Sequence, residues 1–272
     1  MDGEIEIKGL SLGGVVTQGL SQADLFQFRT TRQMQNQGQG SGDVTTHIEV
    51  TAVLKPLDIP VRAMILPLLQ ESANTYMKSV VDAVLLPALP PGAVWLQDHR
   101  LYHATIYHAS SHSMPVPATP DEVADEARAI RSVTSRHCPI HGVLERVVIT
   151  NTGVIVACWQ VLPTGTEPAD LRASLAEALP NSPPKEGQMV KEASMLHTTV
   201  ARLLQPPESL DEVVDVALVA QAVRDLSRQL CGLTAVFDEV WFVEEQDLLA
   251  LALEGRYIKH AAPLSCPGQA LS

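Results

Sequence analysis

Tyr102-His103-Ala104-Thr105-Ile106-Tyr107 and Leu196-His197-Thr198-Thr199-Val200 carry one short pattern at two places in the chain: a histidine, any residue, a threonine and a β-branched residue. β-branched and aromatic residues are frequent in both stretches, which favours β-strands. Successive side chains of a strand point to opposite faces, so each histidine shares a face with the threonine two positions on. Each strand therefore presents an imidazole beside a hydroxyl.

Such a pair of strands suits the chemistry of a phosphodiester. If both face one cleft, a neutral histidine can take a proton from water or a ribose hydroxyl while the opposing histidinium protonates the leaving oxygen. The threonine hydroxyls can hold the non-bridging oxygens. We therefore predict His103 and His197 as the catalytic acid–base pair, and Thr105 and Thr199 as phosphate-binding residues. The sequence leaves open which histidine is the acid and which is the base.

The elements predicted around the two patterns repeat in the same order. About residues 47–150 are predicted to form, in order, a strand, a helix, the histidine-bearing strand, an amphipathic helix and a strand, and about residues 153–253 repeat this order. A hairpin turn at Asn151-Thr152-Gly153 lies between the two copies. Two copies of one unit predict an α+β fold with two pseudo-symmetric lobes of antiparallel sheet, helices packed outside and a central cleft.

Periodicity and chain-breaking residues predict the individual elements. Those that matter below are a strand over 47–54, a long helix over 61–86 kinked at Pro67, a helix over 121–137, a helix over 209–230 that begins with a capping box at Ser209–Glu212, and a strand over 248–253. The bilobed domain is predicted to span 47–255. Residues 1–46 are predicted as an N-terminal extension with a Gln/Gly-rich linker at 33–42, and residues 256–272 as a C-terminal tail.

Composition limits the classes of partner. The chain has 272 residues, 46% of them hydrophobic, and a net charge of −12. Such an acidic surface argues against binding of long nucleic acid, because the affinity for nucleic acid comes from Lys and Arg side chains that neutralise phosphates. No apolar run reaches the roughly 18 residues of a membrane span. We therefore expect a monomer that takes a small nucleotide or a short RNA end and does not bind membranes.

The chain start and the cysteines point to a reducing compartment. Met1-Asp2-Gly3-Glu4 is acidic, unlike the start of a signal or transit peptide. The four cysteines show no CxxC spacing, so we expect reduced thiols and a cytoplasmic protein, with the nucleus as the alternative.

The residues beside the first pattern offer alternatives. His108-Ala109-Ser110 is a rival first motif, although in a regular strand His108 points away from the face of His103, and only a bulge would reverse that. Tyr107 shares the face of His103 in a regular strand, where it would bind substrate by stacking or else pack in the core.

The sequence gives little support to a metal or cofactor. Two groups of candidate ligands, His103 with His108 and His112, and His137 with Cys138 and His141, lack the second ligand pair of a zinc finger, and there is no HExxH. The glycine-rich motifs of nucleotide triphosphate and dinucleotide sites are also missing from the sequence. We therefore predict no metal and no cofactor.

With its two His-x-Thr patterns on strands of a repeated unit, the sequence resembles the 2H phosphoesterase superfamily, of the RNA ligase and cyclic nucleotide phosphodiesterase type. It is also similar to uncharacterised plant and algal members. The resemblance covers about residues 47–255, and only His103, Thr105, His197 and Thr199 are carried over. It implies metal-independent hydrolysis or cyclisation at 2′,3′-cyclic phosphates or 2′,5′ linkages of nucleotides or RNA ends. The alternatives are a non-catalytic protein that binds nucleotides or RNA ends on the same fold, and a purely structural interaction module.

Overall fold

The computed structural model describes residues 25–34, 44–204 and 215–267. Within these ranges the strands are β1 Phe26–Met34, β2 Val44–Ala52, β3 Pro56–Pro67, β4 Val94–Leu96, β5 His103–Ser110, β6 Ile140–Ile149, β7 Val154–Val161, β8 Leu196–Leu203, β9 Thr234–Phe237, β10 Glu239–Asp247 and β11 Tyr257–Pro263. The α-helices are α1 Glu71–Ala88, α2 Pro120–Thr134, α3 Pro168–Ala178, α4 Val216–Leu230 and α5 Ala250–Leu253, with short 3-10 turns at His99–Leu101 and Lys185–Gly187.

Beside the separate two-stranded sheet of β1 and β2, two larger sheets organise the chain, and all strand pairs are antiparallel. The first, which we call the β5 sheet, has the order β11-β10-β3-β5; the second, the β8 sheet, has the order β4-β8-β7-β6-β9. The expected α+β fold with antiparallel sheets is therefore confirmed. The two sequence repeats are interlocked, because β6 of the first half lies in the β8 sheet and β10 of the second half lies in the β5 sheet.

Helices cover one face of each sheet. Helices α2 and α3 pack against each other and against the β5 sheet, while α4 packs on β6 of the β8 sheet and contacts α1. The largest hydrophobic core cluster joins these helices to the covered faces of both sheets. The uncovered faces of the sheets are thereby left to build a site.

The predicted helix over 61–86 is wrong at its beginning. Residues 56–67 form β3, and the helix α1 begins only at Glu71. Met64 and Leu66 pack in the main core whereas Ala63 and Ile65 are buried on the opposite face, so β3 is a strand buried on both sides. The sequence of such a strand is an unbroken apolar run, and periodicity alone does not distinguish that run from a buried helix.

Some of the other predicted elements are present in the structure and one is not. The hairpin of β6 and β7 and the helix α2 are confirmed. The predicted strand over 248–253 is wrong: this segment turns at Leu249, with φ 55°, and continues as the short helix α5. Strand β1 lies in the predicted N-terminal extension and β11 in the predicted tail. The proposed capping box at 209–212 and the linker residues 35–42 lie outside the described residues.

The expectation of reduced thiols is wrong for two of the cysteines. Cys138 and Cys266 form a disulfide, whereas Cys158 and Cys231 are free. The bond ties the end of the chain, just after β11, to the segment between α2 and β6. Among the described residues, no helix is both long and apolar enough to span a membrane.

Candidate active site

The two sheets turn their uncovered faces to one central cavity of about 460 Å³. Strand β5 contributes His103 and Thr105 to its wall, and β8 contributes His197 and Thr199. Strands β5 and β8 also contact each other, so the two His-x-Thr patterns meet although they belong to different sheets. The structure therefore brings together all four residues that the sequence selected.

Alternation separates the two neighbouring threonines of β8. Thr198 is fully buried on the opposite face, where its hydroxyl accepts a hydrogen bond from Trp159 Nε1 at 3.0 Å. Thr199 lines the cavity, as does Thr105. Within the described part of the chain, neither of these two hydroxyls makes a hydrogen bond, so both can bind a ligand.

Each of the two strands has a β-bulge directly after its threonine. In β5, Thr105 pairs with Ile65 and Tyr107 with Met64, which leaves Ile106 as an extra residue. In β8, Thr199 pairs with Val156 and Ala201 with Ile155, which leaves Val200 as the extra residue. A bulge of this kind reverses the faces of the side chains that follow it, in β5 as far as a second irregularity between His108 and Ser110.

The bulges change which side chains reach the cavity. His108 enters it from β5, and Arg202 enters it from the equivalent position of β8, three residues after the threonine in both strands. Tyr107 is instead turned into the main core and is 9% exposed. The predicted face of Tyr107 is therefore wrong, and so is the expectation that His108 points away from His103.

The proton on His103 is fixed by its neighbour. Its Nδ1 lies 2.7 Å from the carbonyl oxygen of Leu101, and a carbonyl oxygen can only accept, so Nδ1 carries the hydrogen. In the neutral ring Nε2 is then unprotonated and available as a base. Burial lowers the pKa of His103, and the nearby charge of His197 lowers it further, against the opposing effect of the Leu101 hydrogen bond.

His197 has a different environment. Burial lowers its pKa, and the positive charge of Arg172 adds to this effect. In the described residues, no hydrogen bond fixes the tautomer of its ring. His103 thus presents an unprotonated Nε2 when its ring is neutral, whereas no described hydrogen bond orients the ring of His197.

Arg172, from helix α3, braces the two motif strands. It donates hydrogen bonds to the carbonyl oxygens of Ile106 at 2.9 Å, Thr105 at 3.2 Å and Met195 at 2.8 Å, and also to that of Ala193. The first two acceptors are at the bulge of β5, and the others immediately precede β8. Burial lowers the pKa of its guanidinium to about 10. Arg172 therefore holds the backbone of one motif against that of the other.

The cavity also contains positive and titratable groups that the two motifs do not include. Arg202 is 6% exposed, and burial lowers its pKa to about 10, so it stays charged at neutral pH. Burial lowers the pKa of His108 to about 4, which keeps this ring neutral near pH 7. His112 also lines the cavity, and burial lowers its pKa. The cavity wall therefore combines the permanently charged side chain of Arg202 with imidazoles that are neutral near pH 7.

The described residues offer no candidate for a metal centre. Among them, no three His, Cys, Asp or Glu side chains are grouped so that they could hold a metal ion. His137 lies away from the cavity, and its Nε2 is 2.9 Å from the hydroxyl of Ser174. His141 is similarly engaged by Thr164 through Nδ1 at 3.0 Å.

Comparison with known proteins gives a distant structural likeness. No protein-family model matches the chain, and no curated protein matches it either. The crystal structure of TT0787 from Thermus thermophilus is similar over 76% of this chain and 99% of its own, with a TM-score of 0.51 and 12% sequence identity. At that identity the likeness concerns the fold alone, an α+β arrangement with antiparallel sheets.

Proposed function

We propose that the chain is a metal-independent phosphodiesterase of the 2H type, which hydrolyses 2′,3′-cyclic phosphates of nucleotides or of short RNA ends. The observation that carries this proposal is the meeting of two His-x-Thr strands, each bulged after its threonine, in a single cavity. The fold likeness to TT0787 supports the architecture and says nothing about chemistry.

The arrangement assigns a role to each side chain. His103, with its hydrogen held on Nδ1 by Leu101, takes a proton from water through Nε2. The water oxygen forms a bond to phosphorus, and the bond from phosphorus to the 2′ or 3′ oxygen breaks. His197 gives its proton to that leaving oxygen, so the two histidines exchange protonation states and water restores them.

Hydrogen-bond donors and a positive charge in the cavity stabilise the negative charge of the phosphate. Thr105 and Thr199 donate their free hydroxyls to the non-bridging oxygens, and Arg202 supplies a fixed positive charge from the wall of the same cavity. Binding of this anion also favours the imidazolium form of a nearby histidine. The substrate thereby helps to protonate the acid that cleaves it.

Turnover in the presence of EDTA tests the proposal. Purified protein is incubated with 2′,3′-cyclic nucleotides and with a short RNA that ends in a cyclic phosphate, beside the double variant His103→Ala/His197→Ala. His141→Ala, on a histidine outside the cavity, is the matched control. We expect turnover by the natural protein and the control, and a loss of at least roughly 10⁴-fold in the double variant, because each acid–base group contributes about 10² or more.

The outcomes separate the proposal from its alternatives. The position of the phosphate on the product identifies the oxygen that leaves. Tight binding of nucleoside monophosphates without turnover of any cyclic phosphate would refute hydrolysis and support a binding protein on the same fold. Turnover that survives in the double variant would refute the assigned roles.

A further inference from the structure

One end of the central cavity has a composition unlike that around His103 and His197. Its wall there is formed by the apolar side chains of Val61, Leu248 and Leu251, and among them lie Glu245 and Gln97. Of the described residues that line the cavity, Glu245 is the only one with a carboxylate. The proposed mechanism uses neither Glu245 nor Gln97.

Strand register places Glu245 at a distance from the phosphate-binding end. Glu245 pairs with Val61 of β3, whereas Thr105 pairs with Ile65 of the same strand. The rise from Val61 to Ile65 is about 13 Å, and two strand spacings between β10 and β5 add about 10 Å sideways. The backbones of Thr105 and Glu245 are thus roughly 16 Å apart on one sheet face, so a ligand must extend along the cavity to contact both.

The carboxylate of Glu245 is held in place by the turn that follows β10. Its Oε1 accepts a hydrogen bond from the N–H of Leu251 at 2.9 Å, and the carbonyl oxygen of Leu251 accepts one from Gln97 Nε2 at 2.7 Å. This is the one hydrogen bond of the Glu245 side chain within the described residues, so its second oxygen has no protein donor there. Burial raises the pKa of Glu245 to about 7.

Charge decides which end of a ligand faces Glu245. A carboxylate repels a phosphate, and His103 pairs with Pro67, six residues along β3 from the Val61 that pairs with Glu245, so the acid–base pair lies in the other part of the cavity. A nucleotide whose phosphate lies between His103 and His197 therefore directs its base toward Glu245. A carboxylate in an apolar wall needs hydrogen-bond donors, because an unpaired buried acceptor is destabilising.

We propose that Glu245 is the base-recognising residue of this cavity and that it favours guanine. This inference rests on the proposed function, since it takes the phosphate-binding end as given. Guanine presents two adjacent donors, N1–H and N2–H, which match a carboxylate, whereas uracil presents a single N–H between two carbonyl oxygens. Adenine and cytosine place an unprotonated ring nitrogen beside their amino group, which faces the carboxylate lone pairs unfavourably.

Calorimetric binding of product nucleotides tests the assignment without turnover. Affinities for 3′-GMP, 3′-AMP, 3′-CMP, 3′-UMP and inorganic phosphate are measured at about pH 8, where a carboxyl of this pKa is mostly ionised. We expect 3′-GMP to bind roughly 10- to 100-fold more tightly than 3′-UMP, the range expected for one bidentate base contact.

Two variants complete the design. Glu245→Gln keeps an oxygen for the N–H of Leu251 but replaces one acceptor with a donor, so we expect it to lower the affinity for 3′-GMP to that for 3′-UMP. Affinities for phosphate and 3′-UMP stay unchanged, which also reports that the site is folded. Glu244→Gln is the matched control, because Glu244 lies on the opposite face and contacts His260 at 3.2 Å.

The possible failures are distinguishable. Equal affinities for all four nucleotides, or a preference for another base, would overturn the guanine assignment and leave the phosphate site standing. An equal loss of affinity for all ligands in Glu245→Gln would show that Glu245 supports the cavity wall and does not read the base. Absence of binding by every nucleotide and by phosphate would overturn the proposed function as well.

Discussion

His103 and His197 are both harder to protonate than a histidine in water, because burial lowers the pKa of each ring by disfavouring the imidazolium. An acid–base pair needs one ring neutral and the other protonated at the same time. With both pKa values lowered, this combination is most populated on the acidic side of the usual histidine range. The bound phosphate compensates in part, since an adjacent anion raises the pKa of a histidine.

We therefore expect the pH profile of kcat/KM to be a bell centred below pH 6.5, the ordinary pKa of histidine. The profile of kcat/KM reports the free enzyme, in which burial lowers both values, so both limbs are displaced to acid. Initial rates on one cyclic nucleotide from about pH 4.5 to about 8.5 give the profile. Circular dichroism over the same range controls for unfolding, and a bell centred above 6.5 would contradict the burial argument.

Arg172 provides a second prediction about single side chains. It donates to four backbone carbonyl oxygens, two in β5 and two just before β8, and also lowers the pKa of His197 through its charge. Arg172→Met removes both effects. We expect kcat to fall on the order of 10- to 100-fold, because small misplacements of reacting groups have effects of that size. The alkaline limb, which His197 sets as the acid, moves to higher pH.

Arg172→Lys separates the two effects. Lysine keeps the positive charge but cannot donate to four oxygens in one plane, so we expect a reduced kcat with the alkaline limb unmoved. If both variants shift the limb equally, or if neither changes kcat, Arg172 does not position the motifs. A thermal melt of each variant shows whether the loss reflects unfolding.

The sequence was sufficient to select the four motif residues, because strand alternation within each motif is undisturbed up to the threonine. It was not sufficient beyond that point. The bulges at Ile106 and Val200 depend on pairing with β3 and β7, and nothing local marks them. For that reason alternation alone places Tyr107 on the cavity face, turns His108 away from it and gives no sign of Arg202. The matched spacing of His108 and Arg202 after their threonines was the one available signal.

Longer-range partners explain the other differences in the elements. Residues 61–67 were predicted as helix because their burial on two faces produces an apolar run without a period. The segment 248–253 is apolar enough for a strand, but the left-handed backbone at Leu249 ends pairing there. Arg172 and Glu245 gave no sequence signal, because their roles come from contacts with distant backbone.

Helix α2 is attached to the β5 sheet by a buried ion pair, which yields a prediction about elements. Arg62 of β3 is 2% exposed and donates to Glu126 of α2 at 2.8 and 3.1 Å. Glu126→Ala leaves this guanidinium buried without its anion, so we expect the free energy of unfolding to fall by roughly 3 kcal/mol. Urea unfolding followed by circular dichroism measures the change.

Asp125→Ala is the matched control on the same helix. Asp125 pairs with Arg128 on the surface, where both side chains are more than half exposed, and such pairs contribute about 0–1 kcal/mol. If the two alanine variants lose similar stability, the ion pair of Arg62 does not anchor the helix.

The exchange of strands between the two halves makes the molecule interdependent as a whole. Strand β6 of the first half is part of the β8 sheet, and β10 of the second half is part of the β5 sheet. Neither half therefore contains all the strands of one sheet. The cavity lies between these sheets and needs both motifs. Unfolding of either half therefore removes the site, and contacts that hold the end of the chain in place stabilise both halves.

The disulfide between Cys138 and Cys266 is such a contact, and it yields the prediction for the whole molecule. It closes a loop over a sequence separation of 128, and constraint of the unfolded chain over that length corresponds to roughly 5 kcal/mol of stability in the chain-entropy model. We expect the double variant Cys138→Ser/Cys266→Ser to unfold at lower denaturant, while Cys231→Ser, which removes a free and exposed thiol, does not. Thiol titration of the denatured, unreduced protein should give two reactive thiols of the four, Cys158 and Cys231. Four reactive thiols, or equal unfolding midpoints with and without reductant, would show that the bond is absent or that it adds nothing to the stability of the folded chain.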